Sequence, residues 1–214
     1  MNLPNLLTLL RIFFVPLLIA ALVQENLQIE VNGIVITNEF LALGIFLTAA
    51  ATDLLDGYLA RKWDQITTVG TLLDPIADKL LISAALISLV QVQALPGWMA
   101  VIIVAREFAV TGLRSIAAAE GYTINASDLG KTKMVTQVMA ITLILLSIHW
   151  PELRQFAMLW LWGVVIFSVV SAFDYFLRFW RRVDDSVKLR RRRELLTLER
   201  ERQLERMRQR KTAG

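Results

Sequence analysis

The chain has 214 residues, of which 56% are hydrophobic, and its mean hydropathy is +0.53. This composition is too apolar for an ordinary soluble domain and predicts an integral membrane protein. The chain has no Cys and a single His, His149, which excludes disulfides, thiolate nucleophiles, Cys-bound metals and catalysis by several histidines. The net charge of +4 conceals two different regions. Residues 1–180 have 10 basic and 13 acidic side chains and are net negative, whereas residues 181–214 have 13 basic and 6 acidic side chains and are strongly positive.

Six apolar segments of about 20 residues predict six helices long enough to cross a bilayer. We therefore expect an all-α integral membrane protein with six transmembrane helices, one membrane domain over residues 1–180, and a cytoplasmic-facing polar cavity. Residues 181–214 predict a basic cytoplasmic tail, helical because it has opposite charges three residues apart. The six predicted segments are 3–23, 39–61, 71–94, 97–119, 130–149 and 156–180.

The basic residues predict the orientation of these helices. The connections near 24–38, 95–96 and 150–155 contain one basic residue, Arg154. At the opposite ends lie Arg61, Lys62, Lys131, Lys133, Arg181 and Arg182. By the positive-inside rule, we expect a multi-pass protein of the cell inner (plasma) membrane with both termini on the cytoplasmic side.

The most informative stretch is Asp53-x2-Asp56-Gly57-x2-Ala60-Arg61-x8-Gly70-x3-Asp74-x3-Asp78. Acids three or four residues apart lie on one face of a helix, and the polar segment between the two pairs lets the chain reverse. Four carboxylates packed together repel one another unless cations neutralise them. Oxygen ligands without nearby Cys or His indicate Mg²⁺, Mn²⁺ or Ca²⁺.

Other charged residues also fall inside the apolar segments, where they are candidate functional groups. Glu107 and Arg114 are two helical turns apart and are placed to pair, and Arg106 precedes them. Lys131 and Lys133 begin the fifth segment. The alternatives are a buried ion pair that fixes helix packing, and lysines that reach lipid headgroups. The functional interpretation is a basic pocket for a phosphorylated substrate.

The basic tail predicts attraction to anionic membrane lipids. No aromatic residue follows Trp180, so the tail lacks the stacking side chains typical of single-strand binding, and we expect no nucleic-acid partner.

The spacing of the Asp53–Asp78 motif resembles the signature of the CDP-alcohol phosphotransferases, membrane enzymes that transfer a phosphatidyl or similar group from a CDP-linked donor to an alcohol. Within that family, ARE-x4-GLR at 105–114, GKTK at 130–133 and PNLLTLLR at 4–11 are similar to the bacterial phosphatidylglycerophosphate synthases. The likeness extends from residue 2 to about residue 180.

The resemblance implies the substrates and the roles of the acids. The donor would be CDP-diacylglycerol, the acceptor sn-glycerol 3-phosphate, and the products phosphatidylglycerophosphate and CMP. Asp53, Asp56 and Asp74 would hold divalent metal, namely two Mg²⁺ or Mn²⁺ ions. Asp78 would act as general base or as a ligand of the second ion.

The resemblance also assigns two binding groups and a homodimer. The nucleotide would contact Asn5, Thr8, Gly57, Ala60 and Arg61, with Arg11 nearby. We assign the acceptor phosphate to Arg106, Arg114, Lys131 and Lys133. Alternatives are a cardiolipin synthase or a phosphatidylinositol phosphate synthase of the same family and, from another class, a divalent cation transporter that uses the four acids as its ion site.

Overall fold

A computed structural model describes the backbone of residues 3–24, 29–31, 34–63, 68–119 and 129–181. It describes the surroundings of the side chains for residues 6–24, 37–52, 76–119 and 133–181. Six long helices account for most of this backbone: α1 Leu3–Val23, α2 Asn38–Trp63, α3 Thr68–Gln91, α4 Gly97–Ala119, α5 Leu129–His149 and α6 over residues 154–181. A 3₁₀ turn, Pro151–Leu153, leads from α5 into α6. The predicted helical segments are therefore confirmed in number and position for the described backbone.

A small ribbon interrupts the helical pattern between α1 and α2. Strand β1, Ile29–Val31, pairs antiparallel with β2, Ile34–Ile36, so that Glu30 lies opposite Val35. Isoleucine and valine favour extended backbone, because their branched side chains pack well on a pleated surface. This ribbon was not predicted, because the stretch was expected only to connect the first two helices; the long elements of the described backbone are all helices, as expected.

The buried core contains side chains from all six described helices, including Met99 on α4 and Leu161 on α6. Helix α1 packs against α2 and α3, and α2 also packs against α5. Ala42, Ala49 and Ala85 are buried beside Phe46 and Leu81. Small residues at such contacts let helix backbones approach closely, and the large side chains then fill the remaining space.

Large apolar side chains cover the outside of these helices. Leu159 is 72% exposed, and Val101 and Phe173 are similarly uncovered. Two apolar stretches within the described helices are long enough to cross a membrane, Leu6–Val23 and Pro151–Arg181, and Asn38–Thr52 and Lys133–His149 are shorter apolar helices. Apolar side chains facing outward on apolar helices indicate a membrane protein, because lipid solvates them without cost.

The chain divides into two compact units. The first comprises Met1–Ala109 and Asn125–Val170 and contains the core described above. The second comprises Val110–Ile124 and Ser171–Gly214. In the second unit Arg178 pairs with Asp174 at 2.9 Å, one turn apart on α6. The boundary predicted at residue 180, between a membrane domain and a tail, stays a prediction.

Candidate functional site

The four acids of the central motif lie on two helices that are consecutive in the chain. Asp53 and Asp56 belong to α2, and Asp74 and Asp78 belong to α3. Both pairs therefore have the helical spacing on which the metal prediction rests. Helix α2 also packs against α3. The Asp78 side chain is half-buried, whereas the side chains of Asp53, Asp56 and Asp74 lie outside the described residues.

The donor set can be compared with what a divalent ion requires. Four carboxylates on two packed helices supply only hard oxygen ligands, which suits Mg²⁺ or Mn²⁺. Within the part of the chain whose side chains are described, no three acidic or His side chains gather in one place. Of the four acids only Asp78 has a described side chain, so the metal ligands stay a prediction.

A compact polar cluster joins α4 to α5 in the first unit. Arg106 Nη1 lies 3.2 Å from Glu107 Oε1, and Gln137 Nε2 donates a hydrogen bond of 3.1 Å to the same oxygen. The Lys133 ammonium also contacts Glu107 Oε1. Two cations and one amide from two helices therefore converge on one carboxylate oxygen.

Burial makes these contacts important. The side chains of Arg106, Glu107 and Lys133 are 8%, 11% and 14% exposed, and Gln137 is also buried. A charge removed from water costs several kcal/mol unless opposite charges and hydrogen bonds compensate. Among these four side chains two positive charges face one negative charge, and the charge of Asp78 on α3 also interacts with Lys133.

The cluster lies within electrostatic reach of the last acid of the motif. Helix α3 packs against α5, and the charges of Asp78 and Lys133 interact. On the same helix the Thr136 hydroxyl donates to the backbone carbonyl of Lys133 at 2.8 Å. The indole of Trp160 on α6 donates to the Thr136 carbonyl at 3.1 Å. The predicted base and a predicted phosphate ligand thus lie within electrostatic range of each other.

The structure places only some of the predicted acceptor residues together. Arg106 and Lys133 meet at Glu107. Arg114 is exposed on the part of α4 that belongs to the second unit. Lys131 begins α5, but its side chain lies outside the described residues. The sequence predicted that Glu107 and Arg114 are placed to pair; in the first unit Glu107 contacts Arg106, Lys133 and Gln137.

The predicted nucleotide residues fall on α1 and α2. Thr8 and Arg11 are completely or almost completely buried on one face of α1, which packs against the two helices that carry the acids. A buried hydroxyl and a buried guanidinium in an apolar helix are unusual, because each must be compensated by polar partners. The side chains of Asn5, Gly57, Ala60 and Arg61 lie outside the described residues.

Gln137 was not predicted from the sequence, and Glu107 was predicted only as a charged candidate placed to pair with Arg114. Gln137 follows Lys133 by four residues, so the two lie one turn apart on the same face of α5. The sequence signal that would have identified it is an amide four residues after a lysine in an otherwise largely apolar segment. The structure shows that this amide is buried, where it needs a hydrogen-bond partner.

Comparisons with known proteins give consistent results. A family model described as CDP-alcohol phosphatidyltransferase matches residues 1–175. A Bacillus subtilis protein named CDP-diacylglycerol–glycerol-3-phosphate 3-phosphatidyltransferase is 44% identical over 190 residues, which cover 86% of this chain and 98% of the relative. A Mycobacterium tuberculosis protein named probable phosphatidylglycerophosphate synthase is 39% identical over 83% of this chain and 81% of its own. A Rickettsia bellii protein with the same name as the Bacillus one is 33% identical over 82% and 93%.

Proposed function

Because this chain belongs to the CDP-alcohol phosphatidyltransferase family, we propose that it transfers the phosphatidyl group of CDP-diacylglycerol to sn-glycerol 3-phosphate. The products are phosphatidylglycerophosphate and CMP. The observation that carries this proposal is the buried pair of cations, Arg106 and Lys133, of which Lys133 interacts electrostatically with Asp78. An acceptor that is itself phosphorylated needs positive charge next to the group that takes its proton.

Arg106 and Lys133 bind the phosphate of the acceptor. The guanidinium presents several donors in a plane, and the ammonium adds a compact charge, so the two together satisfy several phosphate oxygens. Their burial excludes water that would compete for these oxygens. Arg114 and Lys131 are further phosphate ligands in this proposal, on the strength of the motif alone.

Asp78 takes the proton from the acceptor hydroxyl. The hydroxyl oxygen then attacks the phosphorus that bears diacylglycerol, a new P–O bond forms, and the bond to CMP breaks. A free carboxylate is a weak base for an alcohol, and its value here comes from its position beside the bound acceptor. The half-buried side chain and its interaction with Lys133 support that position.

Asp53, Asp56 and Asp74, together with Asp78, are the proposed metal ligands. Two bound Mg²⁺ or Mn²⁺ ions would supply positive charge opposite the pyrophosphate and the departing CMP. The nucleotide lies against the α1 and α2 positions of Asn5, Thr8, Gly57, Ala60 and Arg61 in this proposal. The burial of Thr8 on the face of α1 that packs against the acidic helices supports it.

The proposed arrangement in the membrane follows the charge distribution. All six helices cross the bilayer, with the site and both termini on the cytoplasmic side, because the basic residues gather there. The acyl chains of the donor then stay in hydrocarbon while glycerol 3-phosphate arrives from water. A homodimer is proposed from the family resemblance.

The test is CMP release by the purified protein in detergent with CDP-diacylglycerol and Mg²⁺ or Mn²⁺. Glycerol 3-phosphate, inositol phosphate, phosphatidylglycerol and serine are offered separately. We expect release with glycerol 3-phosphate alone and none after chelation of the metal. Asp78→Asn should lower the rate roughly 10²- to 10⁴-fold, the contribution typical of a positioned base.

Asp174→Asn is the matched control, because Asp174 is a partly exposed acid on α6 that pairs with Arg178. Release with inositol phosphate or phosphatidylglycerol instead would reassign the acceptor within the family. If the folded protein releases no CMP with any of the four acceptors, the proposed activity is refuted. Divalent-cation flux in proteoliposomes would then be measured.

A further inference from the structure

The carboxylate of Glu107 lies within the proposed phosphate-binding site, where a negative charge is not expected. Its Oε1 contacts Arg106 at 3.2 Å and the Lys133 ammonium, which are the two cations assigned to the acceptor phosphate. A carboxylate here competes with the phosphate for both cations. It must therefore contribute something that outweighs this competition.

The positions of the side chains show what it contributes. Arg106 and Glu107 are neighbours on α4, about 100° apart around the helix axis. Lys133 comes from a different helix, α5. Contact with one oxygen brings the guanidinium and the ammonium into one small region, although two like charges would otherwise move apart. Oxygens of a single phosphate can then reach both head groups.

Gln137 fixes the carboxylate without changing its charge. The amide lies one turn after Lys133 on α5 and donates to the same oxygen at 3.1 Å. An amide donor orients Glu107 as a further cation would, but it leaves the net charge of the cluster at one positive unit. Gln137 is buried, so water does not replace this hydrogen bond.

We propose that Glu107 is a positioning residue, held by Gln137, that places Arg106 and Lys133 for the phosphate of the acceptor. This inference rests on the proposed function. The competing interpretation is that the cluster only ties α4 to α5. A structural tie predicts that its loss lowers stability and affects both substrates, whereas a positioning role predicts a selective effect on the phosphorylated acceptor.

Glu107→Gln tests the inference through the steady-state constants for the two substrates. We expect the KM for glycerol 3-phosphate to rise roughly tenfold or more, since small displacements of positioning groups cost that much. The KM for CDP-diacylglycerol should change less than twofold. Glu152→Gln is the matched control, because Glu152 is exposed in the 3₁₀ turn. An unchanged KM for glycerol 3-phosphate, or equal changes for both substrates, would overturn the inference.

The exchange Glu107→Gln with Gln137→Glu adds a second measurement that does not depend on the single variant folding. It returns one carboxylate and one amide to the cluster, with the carboxylate on the other helix. We expect the exchange to reverse most of the increase in the KM for glycerol 3-phosphate that Glu107→Gln causes. Gln137→Glu alone, which adds a second carboxylate, should raise this KM. An exchange variant no better than either single variant would contradict the positioning role.

Thermal unfolding in detergent with increasing inorganic phosphate separates this inference from the proposed function. The wild type should be stabilised by phosphate, and Glu107→Gln should need roughly tenfold more phosphate for the same stabilisation. If the wild type releases no CMP with any acceptor, the proposed function fails, and this titration alone decides the role of Glu107. Equal stabilisation of the two proteins would refute that role.

Discussion

Lys133→Met isolates the charge of one proposed phosphate ligand, because methionine keeps an unbranched apolar chain and removes the ammonium. In the structure the ammonium contacts Glu107, whose oxygen also has Arg106 at 3.2 Å and Gln137 at 3.1 Å. After the substitution Glu107 keeps two of these three partners. The protein should therefore fold, and its loss of stability should stay below the ~3–5 kcal/mol typical of a fully broken buried ion pair.

The catalytic effect can be estimated from the contact that is removed. A hydrogen bond to a charged group contributes about 1.5–3 kcal/mol, which corresponds to roughly a 10- to 150-fold decrease in kcat/KM for glycerol 3-phosphate. Unphosphorylated glycerol lacks the group that Lys133 is proposed to bind. The preference of the enzyme for glycerol 3-phosphate over glycerol should therefore decrease by the same factor.

CMP release at saturating CDP-diacylglycerol, with either glycerol 3-phosphate or glycerol as acceptor, measures this preference. Arg178→Met is the control for loss of a cation, because Arg178 is 52% exposed and pairs with Asp174. The reasoning is refuted if Lys133→Met retains its preference within twofold of the wild type. It is also refuted if the rates with both acceptors fall equally while the melting temperature is unchanged.

Two further substitutions test the surroundings of the site. Thr8→Val removes a buried hydroxyl from the α1 face that packs against the acidic helices, and should raise the KM for CDP-diacylglycerol several-fold, by roughly 1 kcal/mol, without changing the KM for glycerol 3-phosphate. An effect on the acceptor alone would contradict the nucleotide assignment. Trp160→Phe removes the indole hydrogen bond to the Thr136 carbonyl and should cost about 0.5–1.5 kcal/mol in a melting experiment, with both KM values unchanged. No loss of stability would show that this bond adds nothing to the α5–α6 contact.

The helices could be predicted almost completely because their signal is local. Long apolar segments separated by polar connections define α1 to α6, and the observed ends differ from the predicted ones by at most three residues. The ribbon between α1 and α2 also has a local signal, Asn32-Gly33 between Ile29–Val31 and Ile34–Ile36. This signal is weaker than that of the helices, because each strand has only three residues.

The site could be predicted only as residues and not as contacts. Charge inside an apolar helix identified Arg106, Glu107 and Lys133, because such residues are costly unless they have a function. The partner of Glu107 could not be deduced, since helical spacing describes neighbours on one helix and Lys133 lies on another. Gln137 carries no charge, so the sequence did not mark it as a functional residue. Its importance is visible only from its burial in the structure.

The charge balance of the cluster links folding of the empty site to binding of its ligand. Arg106 and Lys133 alone would attract phosphate more strongly, but two buried like charges would destabilise the protein whenever the acceptor is absent. Glu107 neutralises one of them, so the empty cluster can be buried, and the remaining positive charge still favours an anion. Removal of Glu107 should consequently change two properties at once: it releases a competitor for the cations and it removes what holds them together. If release of the competitor dominates, Glu107→Gln binds phosphate more tightly than the wild type, and the positioning role is wrong; if the loss of order dominates, binding weakens as we predict.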